Sequence, residues 1–264
     1  MTRAGVFLAA LVAVGAEAQA LNLVAQDRHV FASHQQANFS GQTFDSETKT
    51  APDAWPFSAG VNGYTGLPGS GVAAQQSSIE RERLVASGNT VAESLPTFGN
   101  LAHIVVAESV YDVDFTLAQP RTFTLAGEID LLAEDDSFDS CANAIGRITL
   151  SGPGGVVAEV TGQVPDPPFP PGYPPVCRFG CQETLPLSAS GVLEPGTYKL
   201  VARVDTYAQS ESAPLIDCSS DSRASYEVEL ALTRLPQPVP ALPPAWLVSL
   251  VAALALAVRR QLRR

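Results

Sequence analysis

The sequence predicts an all-β chain, an antiparallel β-sandwich of jelly-roll-like type flanked by an N-terminal signal helix and a C-terminal transmembrane helix. Apolar residues alternate with polar ones in several segments of residues 101–235. No helical periodicity of useful length occurs between Leu21 and Pro236. A period of two indicates strands with one buried face, and such faces are covered when a second sheet packs on them.

The alternating segments predict the strands of this core one after another. Tyr111–Leu117 and Thr122–Leu131 alternate on either side of a turn at Gln119-Pro120, which predicts a hairpin. A second hairpin is predicted around Gly152–Gly155. The strands predicted after the first hairpin are Ile148–Leu150, Val156–Val160, Tyr198–Val204 and Tyr226–Leu232.

Two other regions lack this alternation. Residues 21–100 are loosely patterned and rich in glycine, which predicts long loops. The short strands expected among these loops are Gln42–Phe44, Ser78–Ala86 and Thr90–Ser94. Eight prolines in residues 164–186 predict an extended surface loop, because proline cannot donate to a sheet ladder.

The N-terminus has the features of a secretory signal peptide. Arg3 supplies a positive charge, and Ala4–Ala16 is an apolar stretch too short to span a bilayer with margin. Ala18-Gln19-Ala20 is a small-x-small cleavage site, so residues 1–20 are expected to be removed. Cleavage after Ala18 and an uncut membrane anchor are the alternatives.

The C-terminal residues 236–264 combine a proline-rich linker, an apolar run and an arginine cluster. Leu242 to Val258 gives 17 residues before the first arginine, slightly fewer than the about 20 that a spanning helix needs. The arginines are expected to stay cytoplasmic, and Trp246 suits the opposite interface. The tail arginines are Arg259, Arg260, Arg263 and Arg264.

This tail resembles the PEP-CTERM class of bacterial sorting signals, which exosortases recognise. The sorting motif here is Val239-Pro240-Ala241-Leu242-Pro243, followed by Trp246 and the arginines Arg259 and Arg260. It looks closer to Val-Pro-rich variant tails, since it contains no Pro-Glu-Pro. The resemblance implies signal peptidase and an exosortase-like enzyme as partners, transit through the inner membrane, and delivery to a polysaccharide-rich cell surface or extracellular matrix. A plain C-terminal anchor is the alternative.

The charge excludes one class of partner. The chain has a net charge of −11, although four of its basic residues lie in the arginine tail. Lysine occurs only at Lys49 and Lys199. Such an acidic chain is not expected to bind nucleic acid, whose phosphates require Lys and Arg.

Four cysteines in an exported chain predict two disulfides. The pairing favoured here is Cys141–Cys218 with Cys177–Cys181, because Cys141 and Cys218 each precede a strand and the other two share one loop. Sequence alone allows three pairings, and a zinc site is the alternative.

The candidate metal site is acidic. If Cys141 pairs with Cys218, the loops beside them lie side by side, and their carboxylates could hold Ca²⁺. A solvated pair of acidic loops is the simpler interpretation. The carboxylates concerned are Asp135, Asp136, Asp139, Asp217 and Asp221.

No catalytic motif occurs, so a non-enzymatic protein without a cofactor is expected. There is no Gly-x-Ser-x-Gly elbow, and His29, His34 and His103 lack the spacing of metal ligands. The Leu193–Tyr198 turn resembles turns in extracellular sandwiches, including carbohydrate-binding and pre-peptidase modules. The alternative function is therefore a carbohydrate- or calcium-binding module, in which exposed aromatics could stack on sugars. The aromatics concerned are Trp55, Phe57, Tyr64, Phe169, Tyr173 and Phe179.

Overall fold

The computed structural model describes residues 21–38, 41–52, 56–63, 69–95, 102–135, 141–164, 181–211 and 219–235. These ranges contain twelve strands: β1 (Asn22–Asn38), β2 (Gly41–Thr50), β3 (Phe57–Gly63), β4 (Gly69–Ile79), β5 (Arg83–Ser94), β6 (Ala102–Leu117), β7 (Arg121–Asp135), β8 (Cys141–Gly152), β9 (Gly155–Val164), β10 (Cys181–Leu193), β11 (Gly196–Glu211) and β12 (Ser220–Arg234). The predicted signal helix, transmembrane helix and sorting tail lie outside the described ranges.

The strands form two six-stranded antiparallel sheets that pack face to face. Sheet A has the order β2-β1-β6-β11-β8-β9, and sheet B has the order β10-β7-β12-β5-β4-β3. β1 packs on β4, β5 on β6 and β11, and β7 on β8. The predicted all-β class and antiparallel sandwich are confirmed. The chain divides into two units, Met1–Thr233 and Arg234–Arg264, and the sheets belong to the first apart from the last residue of β12.

The order of the last eight strands gives the sandwich its topology. The chain passes to the opposite sheet at each connection from β5 to β12, except within the β8–β9 hairpin. This produces the neighbouring sets β5-β12-β7-β10 and β6-β11-β8-β9, a double-sheet arrangement of jelly-roll type. β1 and β2 extend sheet A beside β6, while β4 and β3 extend sheet B beside β5.

The interior contains two kinds of packing, which we name the apolar end and the polar end. The register pairs Phe115 with Tyr198 and Leu84 with Leu230 at one end, and His103 with Ser210 and Ser94 with Ser220 at the other. The apolar end comprises the buried side chains of Leu84, Phe115, Leu150, Tyr198, Leu200 and Leu230. The polar end comprises those of His34, Ser94, His103, Ser210, Ser220 and Ser222.

One predicted hairpin is wrong. β6 and β7 follow each other in sequence but lie in different sheets, so Tyr111–Leu117 does not pair with Thr122–Leu131. The connection through Gln119-Pro120 instead carries the chain across the sandwich, and Leu117 and Phe123 are both buried in the interior. Alternation identifies the buried face of a strand, but it does not identify the neighbouring strand. The β8–β9 hairpin around Gly152–Gly155 is confirmed.

The expectation of long loops in residues 21–100 is also wrong. Five strands occupy most of the described part of this region, and β1 alone has 17 residues. Small or polar side chains fill many inward positions of β4 and β5, where alternation of apolar residues would otherwise have marked the strands. These buried inward residues include Gly71, Ala73, Gln75, Ser77, Ala86, Gly88, Thr90, Ala92 and Ser94.

Two predicted boundaries also change. Ser78–Ala86 is not one strand, because β4 ends at Ile79 and a turn follows in which the backbone N–H of Glu80 donates to the carbonyl of Arg83 at 2.8 Å. Residues 181–186 of the predicted proline-rich loop form a strand instead, since β10 begins at Cys181. Pro186 lies within β10, which is an edge strand of sheet B, the position where a sheet tolerates a missing N–H.

Candidate functional site

A shallow trough lined by polar side chains lies on the outward face of sheet B. Its larger part has a volume of about 450 Å³ and crosses β5, β12 and β7. A neighbouring part of about 330 Å³ continues along the same strands. The polar residues that line it are Ser87, Asn89, Glu128, Asp130, Ser225, Glu227 and Glu229.

The trough exists because small residues surround the carboxylates. Ser87 on β5 and Ala126 and Gly127 on β7 line its floor and sides. Ser87 and Ala126 face outward and are too small to cover the sheet between Glu128 and Glu227. Gly127 contributes only backbone to the trough, because a Cβ atom there would face the interior, 3.0 Å from Ile148 Cδ1.

Only some of the acidic side chains in the trough are neutralised. Arg83 donates to both carboxylate oxygens of Glu229, at 2.7 and 2.9 Å, and this contact lowers the pKa of Glu229. The hydroxyl of Thr184 donates to Asp130 at 2.7 Å. Glu128 and Glu227 form no ion pair with the residues described. The trough therefore offers carboxylate acceptors to a ligand that carries hydroxyl groups or positive charge.

A buried polar network lies beneath the trough. Gly88 faces inward, and Tyr226 is its register partner on β12. A Cβ at Gly88 would come within 2.4 Å of the Tyr226 ring, so the glycine makes room for the phenol. The side-chain amide of Gln75 donates to the Tyr226 hydroxyl at 2.9 Å. Burial raises the pKa of Tyr226, which keeps the phenol protonated.

A buried arginine sits beside this network. Arg28 on β1 is 1% exposed; its guanidinium donates to Gln26 at 2.7 Å and to Ser77 at 3.1 Å. It also lies 5.8 Å from the ring centroid of Phe57, a cation–π distance. Of the aromatics considered for sugar stacking, Phe57 is the one that lies within the described ranges. It is buried in the interior, so it is not available to stack on a sugar.

Two histidines form a second buried polar feature. His34 on β1 and His103 on β6 are 3% and 0% exposed, and Nε2 of His34 lies 3.3 Å from Nδ1 of His103. Their rings stack with centroids 5.5 Å apart. Burial lowers the pKa of both imidazoles, and His34 lowers that of His103 further.

His29, on the same strand, has the opposite environment. Its Nδ1 lies 2.8 Å from Asp27, and its Nε2 lies 3.6 Å from Glu108 on the outward face of sheet A. The carboxylate of Glu108 and then that of Asp27 raise the pKa of His29 to about 9. Arg203 contacts Glu108 at 3.3 Å, which extends the ion-pair network to β11.

The predicted site residues fall mostly outside the described ranges. The sorting motif Val239–Pro243, with Trp246, Arg259 and Arg260, lies outside them, as do Asp136, Asp139 and Asp217. Asp135 is the last residue of β7, and Asp221 on β12 binds Arg223 at 2.5 Å. The part of the chain that the structure describes contains no group of three or more His, Cys, Asp or Glu that could hold a metal ion.

The cysteine pairing stays a prediction. Cys177 and Cys218 lie outside the described ranges, and the side chain of Cys141 at the start of β8 is not described. Cys181, the first residue of β10, is disulfide-bonded and packs against the main hydrophobic core. Its partner is not identified among the described side chains.

Sequence reasoning missed both the trough and the histidine pair, although a signal for each was present. Glu128 and Asp130 occupy the polar positions of one predicted strand, and Glu227 and Glu229 those of another. Only the adjacency of β7 and β12, which the sequence did not reveal, brings these carboxylates onto one face. His103 lies an even number of positions before Tyr111 and Val113, so it is on the same, inward face of the strand. Extending the predicted strand towards the N-terminus would therefore have placed His103 in the interior.

The fold and surface define an antiparallel β-sandwich with an acidic trough on one face. No helix within the described ranges has the length and apolarity to cross a membrane. No known family model matches the chain, and neither does any curated protein.

The chain is distantly similar to several solved structures. The VP2 subviral particle of infectious bursal disease virus has 11% identity and a TM-score of 0.18, covering 92% of this chain and 74% of that one. A carbohydrate-binding module of the β-sandwich superfamily has 8% identity and a TM-score of 0.16, covering 82% and 98%. The GH31 α-xylosidase of Xanthomonas citri has 11% identity and a TM-score of 0.16, covering 78% and 28%.

Proposed function

We propose that the protein is a non-enzymatic exported protein, delivered to the cell surface or extracellular matrix by its C-terminal sorting signal. The observation that carries this proposal is the order of three features in residues 239–264: the Val-Pro motif, the apolar run and the arginine cluster. The signal-peptide pattern of residues 1–20 supports it, because both ends then direct the same route.

In this proposal the two ends act in sequence. Signal peptidase removes residues 1–20 during export. The arginines beyond Val258 hold the C-terminus on the cytoplasmic side of the inner membrane while the apolar run spans it. An exosortase-like enzyme then cuts the extended segment near Val239–Pro244, where repeated prolines keep the backbone out of a helix. The released domain is a sandwich, whose displayed surface includes the trough on sheet B.

The first test is the intact mass of the mature protein from its native envelope, measured without reductant. We expect a chain that begins at Leu21, ends between Val239 and Pro244, and lacks four hydrogens, as two disulfides require. A mass that retains the arginines would make the tail a permanent anchor. Peptide mapping of the same sample separates Cys141–Cys218 with Cys177–Cys181 from the other two pairings.

Variants identify which feature the sorting enzyme reads. Arg259→Gln with Arg260→Gln, or Pro240→Ala with Pro243→Ala, should accumulate the uncut precursor. The matched control is Pro236→Ala with Pro238→Ala, which changes prolines outside the motif. Equal processing of all three variants would contradict the proposed signal.

The alternative function is a carbohydrate- or calcium-binding module, and the trough favours carbohydrate. Its lining combines carboxylates with the hydroxyls of Ser87 and Ser225 and the amide of Asn89. Such groups donate to and accept from sugar hydroxyls. Calcium instead requires six to eight converging oxygen atoms.

A glycan array tests this alternative with the full chain. Binding should be lost in Glu128→Gln with Glu227→Gln and kept in the control Glu159→Gln, which changes a carboxylate on sheet A. A melting shift on addition of CaCl₂ alone, in place of glycan binding, would select the calcium form. If neither response is observed, the protein is a displayed sandwich that binds neither carbohydrate nor calcium.

A further inference from the structure

The histidine pair lies where the two sheets close on small residues. Gly69 and Gly71 on β4 pack near it: a Cβ at Gly69 would lie 3.7 Å from His34 Cδ2 and 3.5 Å from Val105. The hydroxyl of Ser94 donates to the carbonyl of His103 at 3.4 Å and lies 2.7 Å from Ser210. The pair thus joins β1 and β6 to β4, β5 and β11.

The geometry of the pair fits two uncharged imidazole rings. In a neutral imidazole one ring nitrogen donates and the other accepts, so a single N–H···N bond between His34 and His103 satisfies both facing atoms. If both rings carried a proton on every nitrogen, the two facing nitrogens would both be donors. That arrangement would place two N–H groups and two positive charges 3.3 Å apart in the interior.

Among the residues described, no buried carboxylate offsets a positive charge on the pair. From β2, the exposed carboxylate of Asp45 is opposite His34 in the register and acts against the effect of burial. From β4 the facing residues are glycines, and from β11 the facing residue is Ser210. Glu93 on β5 lies on the outward side, where Ser70 donates to it at 3.4 Å.

We propose that the His34–His103 pair makes the polar end of the sandwich acid-sensitive, so that proton uptake by the imidazoles loosens the packing of β1 and β6 against β4 and β5. The device is local, because both histidines belong to the polar end. The apolar end, held by Phe115, Leu150 and Leu200, contains no buried histidine among the residues described.

The sign follows from proton linkage. Both histidines have folded-state pKa values below the ordinary value of about 6.5, so the unfolded chain binds more protons than the folded chain as the pH falls below 6.5. The contribution of the two histidines to the stability of the folded state is complete above pH 6.5 and is lost as the pH falls. From pH 7.5 to pH 5.5 the unfolding equilibrium constant should rise about 10-fold if the folded pair accepts one proton, and about 100-fold if it accepts none.

The experiment compares urea unfolding of the full chain with that of His34→Gln/His103→Gln at pH 7.5 and 5.5. The wild type should show this additional 10- to 100-fold rise relative to the variant. His29→Gln is the matched control, because it removes an outward histidine of the same strand as His34. This variant should still lose stability between pH 7.5 and pH 5.5. An equal pH dependence in wild type and double variant would overturn the proposal.

A second measurement on the wild type covers the case in which the double variant does not fold. Hydrogen exchange at pH 5.5, corrected for the intrinsic rate and compared with pH 7.5, should accelerate in residues 31–36 and 103–107 but not in residues 148–150. NMR titration should place two imidazoles below pKa 6.5. Two inward imidazoles that titrate at or above 6.5, or acceleration that is uniform across both ends, would refute the local device.

Discussion

The apolar end and the polar end of the interior share strands β5, β6, β11 and β12 but differ in what holds the sheets together. Along β6 the inward residues change from Phe115 and Val113 to Val105 and His103. Along β12 they change from Leu230 and Val228 to Ser222 and Ser220. At the apolar end the sheets are held by hydrophobic burial, which needs no specific geometry. At the polar end, hydrogen bonds between the sheets replace part of the hydrophobic burial. These hydrogen bonds require partners in fixed positions.

The polar end is well supplied with such partners. Ser220 donates to the carbonyl of Gln209 at 3.0 Å, and Ser222 donates to that of Tyr207 at 2.9 Å, both on the neighbouring sheet. The Ser94–Ser210 contact joins the sheets again. The comparison teaches that one sandwich can close its two sheets in two ways: leucine and aromatic side chains fill the apolar end, whereas hydrogen-bonded serines and the histidine pair fill the polar end. Four predictions test that contrast.

The largest expected effect is at the apolar end. Ile148→Ala removes a fully buried side chain from the main core, which should cost about 2–5 kcal/mol of unfolding free energy. The comparison at the polar end is Val105→Ala, in a smaller cluster of Ala92 and Ala208, with a cost toward about 1 kcal/mol. Urea unfolding of the full chain measures both. A cost at Val105 equal to that at Ile148 would break the contrast.

The second effect tests the junction between the ends. Gly88→Ala would place its Cβ 2.3 Å from Ser109 Oγ and 2.4 Å from Tyr226 Cε1, so the buried network must shift. We expect a loss of about 1–3 kcal/mol, the usual cost of overpacking. Gly154→Ala is the control, because a Cβ atom at Gly154 would have no other atom within 4 Å. Similar melting temperatures for the two variants would mean that Tyr226 is loosely held.

The same contrast explains which strands the sequence predicts. It predicts Tyr198–Val204, and the strand continues to Glu211; it predicts Tyr226–Leu232, and the strand begins at Ser220. In each case the missing part carries Thr, Ser or Ala at its inward positions. Alternation detects a strand through the hydrophobicity of its buried face, so it detects the apolar end and fails at the polar end.

The sheet order and the candidate site depend on pairings that a single sequence does not encode locally. The carboxylates of Glu128 and Glu227 are about one hundred residues apart in the chain, and they share a face because β12 inserts beside β7. His34 and His103 meet because β1 adds to the edge of β6. The alternation of side chains along a strand indicates whether each residue faces inward or outward. Only the long-range register between strands shows which residues meet.

The third effect is smaller and lies wholly in the polar end. Ser94→Ala and Ser210→Ala each leave the other hydroxyl without this partner, so each should lose about 1 kcal/mol. The double variant should lose less than the sum of the two, because neither hydroxyl is then left unpaired. Strict additivity in a double-mutant cycle would show that the 2.7 Å contact does not contribute to the stability of this end.

The smallest expected effect lies on the alkaline side, at His29. Its folded-state pKa of about 9 exceeds the ordinary value of about 6.5, so its ion pairs stabilise the fold fully below pH 6.5, and this contribution is lost between pH 6.5 and 9. The loss should be below about 1 kcal/mol, since the contact with Glu108 is 3.6 Å long and Asp27 is largely exposed to solvent. His29→Gln should remove this alkaline decline while the acid-side decline assigned to His34 and His103 persists. Together the two slopes place maximal stability near pH 6.5 for these three groups, because β1 carries histidines with opposite pKa shifts on its two faces. A variant that changed both slopes would show that the inward and outward histidines are coupled through the strand, and that the polar end is not an independent unit.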